Sequence, residues 1–339
     1  MKRPSSTPHT PPRVVIVGAG LMGQWHADAV RRTGGTISAI VDRDEQQAAQ
    51  LLHRYPKAKI APDLVSVLKA DLADAAHICT PAHTHEVLAR QAIEAGLHLL
   101  VEKPLTETAE SAEALMRLAD SKGLLLCPVH QFLFQPGVLR AQNAVEKIGA
   151  LLHLDTLICS AGAERNSQDA DQVVADILPG PLSLLARFLP NVIGSASWRV
   201  EHAAKGELRA SSCIEKISIS MLVSMHGRPT VNALRLIGER GSVHADLFHG
   251  YSVVESGTVS RTHKVAYPFL RSGSTFFSAT ANLALRARRR EPAYPGLREL
   301  IRRFYESLRT GGTSPISASE TMAVAAARDK ILSEMLRRG

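Results

Sequence analysis

Val14-Val15-Ile16-Val17-Gly18-Ala19-Gly20-Leu21-Met22-Gly23 decides the fold. Four consecutive apolar residues read as a strand buried on both faces, as in a parallel sheet. The glycines follow with the spacing G-x-G-x-x-G, and a helical stretch begins at Leu21. In that setting each glycine has a physical task. Gly18 makes the tight turn, Gly20 lets a pyrophosphate approach the backbone, and Gly23 lets the helix pack against the sheet. The amides of Leu21 and Met22 open the helix and offer its positive end to phosphate oxygens. A purely structural glycine turn is the alternative reading of the same residues.

Nineteen residues after Gly23, Asp42 ends the second strand. Its carboxylate can accept both hydroxyls of an adenosine ribose and repels a 2′-phosphate, so NAD is the expected cofactor and NADP the less favoured one. Arg43 is a candidate to stack on the adenine or to tolerate NADP; a solvated loop arginine is its simpler reading.

Outward from this turn, residues 14–127 alternate strand-like and helix-like segments, the mark of βαβ units. Further strands are expected at residues 37–41, 75–79, 97–101 and 124–127, with helices at 21–32, 44–54, 85–95 and 107–122. Gly96 and Gly123 stand where helix C-terminal glycines belong. Beyond residue 128 the texture changes. Ile217, Ile219, Met221, Val223 and Met225 alternate with polar residues, Leu222 being the exception, which predicts a half-buried strand. Residues 231–247, with Gly238-Glu239-Arg240-Gly241 at the bend, read as a hairpin, and residues 318–336 as a closing helix. The expected architecture is α/β. A disordered lead-in (1–12) precedes an NAD-binding, doubly wound Rossmann domain (13–127). A substrate and oligomerisation domain (128–339) with a large mixed or antiparallel sheet follows, its last helix packing back on the first domain.

Bulk properties exclude other classes. With 339 residues, each of two domains can bury its own core. No apolar run approaches the ~20 residues of a membrane span, and the four prolines of the first twelve residues read as a lead-in and not as a secretory signal. Cys79, Cys127, Cys159 and Cys213 lie far apart, which predicts reduced thiols in a cytoplasmic protein without a metal site. The net charge of +8 gathers at Arg286, Arg288, Arg289 and Arg290, and at Arg298, Arg302 and Arg303 beside Leu297, Leu300, Ile301 and Phe304. That pattern reads as a solvated arginine face beside a linker. With only 4% aromatic residues there is little to stack bases on, so nucleic acid is not the expected partner.

Two further segments follow expected strands: Thr80-Pro81-Ala82-His83-Thr84-His85 and Glu102-Lys103-Pro104. With them the chain resembles the glucose–fructose oxidoreductase, inositol dehydrogenase and MocA (Gfo/Idh/MocA) family. That family's pattern joins the glycine turn to a Thr-Pro segment ending in His and to Ala-Gly-x-x-Val-x-x-Glu-Lys-Pro, which reads here as Ala95-Gly96-Leu97-His98-Leu99-Leu100-Val101-Glu102-Lys103-Pro104. The resemblance resumes at residues 145–149, 238–243 and 304–321.

The resemblance implies an NAD-dependent oxidoreductase acting on CH–OH groups of a small molecule, in a homodimer or homotetramer. It puts Lys103 at the nicotinamide as the proton donor and acceptor, in a cis bond with Pro104, with Glu102 at the nicotinamide ribose. Thr80, Pro81 and His85 would line the cofactor's middle, although His85 reads equally well as a helix-start residue that packs and caps. Gln131 and Pro136 fit the segment after the domain junction, where Leu133-Phe134 stands for an expected Arg-Phe pair. Asp176 matches the aspartate of an Asp-x-x-x-His pair that orients substrate or lysine. Gly180 stands in place of the histidine, and Asp171-Gln172-Val173 replaces the preceding glycines. Either Lys103 works alone, or His130 or His153 substitutes, or the chemistry is altered. The alternative is an NAD-binding protein without net redox turnover, acting by elimination or cyclisation through transient oxidation, or as a regulatory scaffold. Apolar residues around Gly180 point to a substrate less polar than a free sugar, such as an intermediate of secondary metabolism.

Overall fold

The computed structural model describes residues 11–160, 169–190, 192–257, 260–291 and 293–338. The expected lead-in therefore lies outside the described residues except for Pro11 and Pro12. The chain divides into two units, Met1–His130 with Leu297–Ala325, and Gln131–Gly296 with Ala326–Gly339.

The first unit is built on β1 (Arg13–Val17), α1 (Leu21–Arg32), β2 (Thr36–Val41), α2 (Glu45–Arg54), β3 (Lys59–Ala61), α3 (Leu64–Lys69), β4 (Ala75–Ile78), α4 (His85–Glu94), β5 (His98–Val101), α5 (Ala109–Ser121) and β6 (Leu126–Pro128). The strands form one parallel sheet in the order β3-β2-β1-β4-β5-β6. β1 is buried over its last four residues, which is why its sequence shows no alternation. Val15, Val17, Ala39, Ile78, Leu99 and Val101 share a core with Ala89, Ile93 and Leu115 from the helices. Asp44 and Thr108 cap α2 and α5 by accepting amides of their first turns. Gly96 and Gly123 have φ of +84° and +66°, the left-handed geometry that ends a helix. β3 and α3 escape a sequence reading because three and six residues are too few to show a period.

The long segment between Gln131 and Gly296 supplies the second unit, with α6 (Pro136–Ala144), β7 (Leu151–Cys159), α7 (Ala170–Ile177), α8 (Pro179–Phe188), β8 (Arg199–Ala204), β9 (Glu207–Ile214), β10 (Ile217–Ser224), β11 (Val231–Gly238), β12 (Gly241–Asp246), β13 (Tyr251–Ser256) and α9 (Arg261–Arg289). Its seven strands run β13-β12-β11-β7-β10-β9-β8. β10 pairs parallel with β7 and antiparallel with β9, so the sheet is mixed. β11 and β12 form the expected hairpin. On β10, Ile219, Met221 and Val223 are buried while Leu222 is 38% exposed, as the broken alternation requires.

The arginines at residues 286–289 close the 29-residue helix α9, just ahead of the connection to the next helix. This helix contains Pro268 and buries only Asn282, so no core-facing stripe announces it in the sequence. Leu297–Ala325 belongs to the first unit, and its α10 (Leu297–Thr310) packs on α1. Leu300, Ile301, Phe304 and Tyr305 are its buried stripe. The last helix, α11 (Ala318–Arg338), spans the division between the units.

Candidate functional site

β1, β2, β4 and β5 are parallel, so the residues following each of them meet at one edge of the sheet: Gly18, Asp42, Thr80 and Glu102. The strand order reverses between β1 and β4, the place where open parallel sheets leave a crevice for ligands. A Cβ on Gly18 would lie 2.8 Å from the Cys79 carbonyl, and its φ is +95°. A Cβ on Gly23 would fall 1.8 Å from the Gly18 oxygen, so helix and turn touch through that glycine. Gly20 is different. Its Cβ position meets only the Gln47 side chain, at 3.5 Å, which leaves the backbone approachable. α1 begins there without a side-chain cap or an acidic residue in its first turn. Its opening amides and positive end fit a pyrophosphate. Leu21 is 63% exposed, with Met22 half-buried beside it.

Asp42 accepts the Ala19 amide at 2.5 Å and the Asp44 amide at 2.8 Å. Arg43 is exposed. In the Thr-Pro segment, Thr84 donates to the Pro81 carbonyl at 2.7 Å, so Thr80 donates to the Thr84 hydroxyl at 2.6 Å. His85 is buried, with Nδ1 2.8 Å from the Pro104 oxygen and Nε2 2.8 Å from the Thr80 oxygen. Its ring thus links the two motif segments through their backbones, with both nitrogens engaged. A neutral ring donates to one carbonyl, an imidazolium to both.

The Lys103–Pro104 bond is cis, as the resemblance implies. Lys103 is half-buried and its amide donates to Glu102 Oε2 at 3.2 Å. Glu102 is buried, with Oε1 3.0 Å from His26 Nε2. Burial opposes its charge, yet the His26 hydrogen bond and the interactions with His26 and Lys103 prevail and hold the carboxyl below its ordinary range. Behind it, His26 Nδ1 lies 3.0 Å from His77 Nδ1, and His77 Nε2 3.0 Å from the Tyr305 hydroxyl. Burial, then His26, drives the His77 ring well below its usual value, and burial raises the Tyr305 phenol. Sequence reasoning missed His26, His77 and Tyr305. The available signal was His77 itself, a lone histidine in the fully buried strand Ala75-Ala76-His77-Ile78, which requires partners.

The remaining expected residues, His130 apart, lie in the second unit. Gln131 opens a turn of 3₁₀ helix, Gln131–Phe134. Asp176, near the end of α7, accepts from Gln172 Nε2 at 3.1 Å. Asp171, where a glycine was expected, accepts the Gly206 amide at 2.8 Å and faces His202 Nε2 at 3.0 Å, tying α7 to the β8–β9 turn. A Cβ on Gly180 would sit 2.9 Å from the Phe132 ring, so that ring occupies the space a side chain there would enter. His153 pairs with Ser218 across β7 and β10 at 2.7 Å, a sheet contact. His130 is buried at the end of the first unit.

Among the described residues, no group of three or more His, Cys, Asp or Glu could hold a metal ion, and no helix is long and apolar enough to cross a membrane. The four cysteines are unpaired, and burial pushes the Cys127 thiol up to about 12.

A profile described as an oxidoreductase family with an NAD-binding Rossmann fold matches residues 12–130. Over 134 residues the chain is 34% identical to a 4-carboxy-2-hydroxymuconate-6-semialdehyde dehydrogenase from Sphingobium sp., covering 39% of this chain and 42% of that protein. Over 108 residues it is 40% identical to an inositol 2-dehydrogenase from Corynebacterium glutamicum, covering 31% and 32%. The matched stretch thus spans less than half the length of these relatives. In fold the likeness is chain-long. The WlbA dehydrogenase from Bordetella pertussis, solved with NADH and UDP-GlcNAcA, superposes with a TM-score of 0.79 at 15% identity, over 98% of this chain and 97% of that one. KijD10, a 3-ketoreductase from Actinomadura kijaniata solved with NADP, gives 0.73 at 18% identity, over 96% and 98%. The profile match contains both the glycine turn and the Glu102-Lys103-Pro104 segment, so residues 12–130 carry the NAD-binding Rossmann fold of that oxidoreductase family.

Proposed function

We propose that the chain is an NAD-dependent oxidoreductase that interconverts a carbinol and a carbonyl or imine carbon of a small substrate. One observation carries this reading. The glycine turn, Asp42 and the Glu102-Lys103-Pro104 turn converge on the edge of the parallel sheet where the strand order reverses. A dinucleotide held at this edge would supply the hydride-transfer chemistry. The uncapped start of α1, with Gly18, Gly20, Leu21, Met22 and Gly23, holds the pyrophosphate. Asp42 takes the adenosine ribose, which favours NAD over NADP, and Arg43 covers the adenine. Thr80 and Pro81 line the middle, while His85 fixes the backbone beneath them. Glu102 accepts from the nicotinamide ribose. Lys103 moves the proton of the substrate hydroxyl through Nζ.

With Phe132 filling the space beside Gly180, Lys103 is the single proton-transfer group in this reading. A positioned general base is worth about 10²–10⁴ in rate, so the altered position also favours a second reading. In it the dinucleotide is retained while the chain catalyses no net redox change. The relatives matched over the N-terminal stretch, a semialdehyde dehydrogenase and an inositol dehydrogenase, support the first. A homodimer or homotetramer in the cytoplasm completes the proposal.

The test follows the reduced-nicotinamide absorbance while candidate alcohols, ketones and imines are supplied. Turnover by the native protein, abolished in Lys103→Met with NADH affinity kept within about threefold, supports the first reading. Tight NAD(H) binding with no turnover of any candidate supports the second.

A further inference from the structure

We propose that His77 and Tyr305 are positioning residues of this site, which act through His26 to hold Glu102 as an oriented carboxylate beside the Lys103–Pro104 turn. The inference rests on the reading of Glu102 as the acceptor for the nicotinamide ribose. It starts from a chain of three contacts, each 3.0 Å: Glu102 to His26, His26 to His77, and His77 to Tyr305. Their relative exposures are 6%, 0%, 0% and 2%, so water does not substitute for any partner.

The donors in such a chain are not independent. An ionised Glu102 only accepts, so His26 carries its proton on Nε2. A neutral His26 then presents a bare Nδ1, and His77 must place its own proton on Nδ1 to face it. His77 Nε2 is left as an acceptor, and the Tyr305 hydroxyl is its donor. Every hydrogen bond points toward Glu102. The acceptor-only carboxylate sets this direction, and the phenol, which can donate, accommodates it at the other end. Reversing either histidine sets two lone pairs, or two N–H groups, against each other in a dry interior.

The arrangement also joins parts of the chain that local sequence does not connect. His26 comes from α1, His77 from β4, Glu102 from the end of β5 and Tyr305 from α10, 228 residues after His77. The other titratable group in contact with Glu102 is Lys103, through its amide and its charge, and Cys79 senses the carboxylate at the end of β4. Without the His26 donor, burial is left to dominate Glu102, which then takes up a proton more readily and accepts less well.

Two measurements test this. Imidazole ¹⁵N spectra of the full-length protein should show His26 protonated on Nε2 alone and His77 on Nδ1 alone. The opposite tautomers, or an imidazolium at either ring at neutral pH, overturn the proposal whatever the variants do. NADH titration by fluorescence is then run across about pH 5–8 on the native protein, Tyr305→Phe, His77→Leu, Glu102→Gln and the double variant Tyr305→Phe/Glu102→Gln. The two chain variants should bind about five- to tenfold more weakly. Their affinity should fall further toward acid pH while the native profile stays flat. Glu102→Gln should be weak and flat, and the added Tyr305→Phe should change it no more. Chain variants that bind as tightly as the native protein, with the same flat profile, overturn the inference alone. Native protein that fails to bind NADH at any pH overturns the cofactor reading, and this inference with it.

Discussion

The Asp42 carboxylate lies 2.5 Å from the Ala19 amide, so the acidic end of β2 is fastened to the middle of the glycine turn. Its other oxygen takes the Asp44 amide, and Asp44 in turn caps α2. One side chain therefore sets the spacing between the glycine turn and the end of β2. Asp42→Ala should weaken NAD(H) binding by about ten- to a hundredfold, the worth of charged hydrogen bonds. Native protein should bind NAD(H) more tightly than NADP(H). Fluorescence titration with both decides it, and a clear preference for NADP(H) would transfer control to Arg43.

The three glycines of the turn should respond differently. Gly23→Ala forces a methyl group to 1.8 Å from the Gly18 oxygen and should cost about 3 kcal/mol or more, or prevent folding. Gly20→Ala meets only the end of Gln47 and should fold with near-native thermal stability. It should still bind NADH poorly, because its methyl group stands where the phosphates approach. Equal melting temperatures for the two variants would contradict this assignment of roles.

Gly180→His bears on the position where the family resemblance leads one to expect a histidine. The new side chain collides with the Phe132 ring and should destabilise by about 1–3 kcal/mol. Phe132→Ala in the same chain should recover part of that loss, whereas Phe132→Ala alone should destabilise, a coupling that a double-mutant cycle measures. Activity on the native substrate should fall in the single variant. A rise would identify Gly180 as a decayed catalytic position.

The arginine-rich helix α10 supplies a pH prediction. Hydrogen bonds from Arg302 outweigh desolvation, and with Arg303 they bring Glu299 down to about 2. A carboxyl depressed in the folded state stabilises above its unfolded value near ~4.3 and loses that contribution as pH falls toward 2. Glu299→Gln should therefore lower the melting temperature at neutral pH. The gap from the native protein should close on acidification through about pH 4 to 2. A gap that widens in acid would reverse the assignment.

The first unit was legible because its information is local. An unbroken apolar strand, three glycines and an acid at the next strand end each carry a meaning fixed within a few residues of backbone, and β1, α1 and β2 formed where those residues stand. The alternation of β10 and the glycine bend between β11 and β12 were legible for the same reason. Helix α9 was not, because Pro268 and an exposed run of phenylalanines break the period that a buried face imposes.

Tertiary structure alone decided what stands behind the site. Nothing local to Tyr305 names His77 as its partner, and the histidine of α1 gives no sign that it will meet Glu102. Those contacts depend on where α10 docks against α1, which side-chain packing over the whole first unit settles. The sequence showed that Gly180 departs from its expected histidine; only the fold showed the Phe132 ring beside it. Backbone conformation follows from neighbours in the chain, whereas a buried polar group takes its partner from whatever segment the core brings within 3 Å.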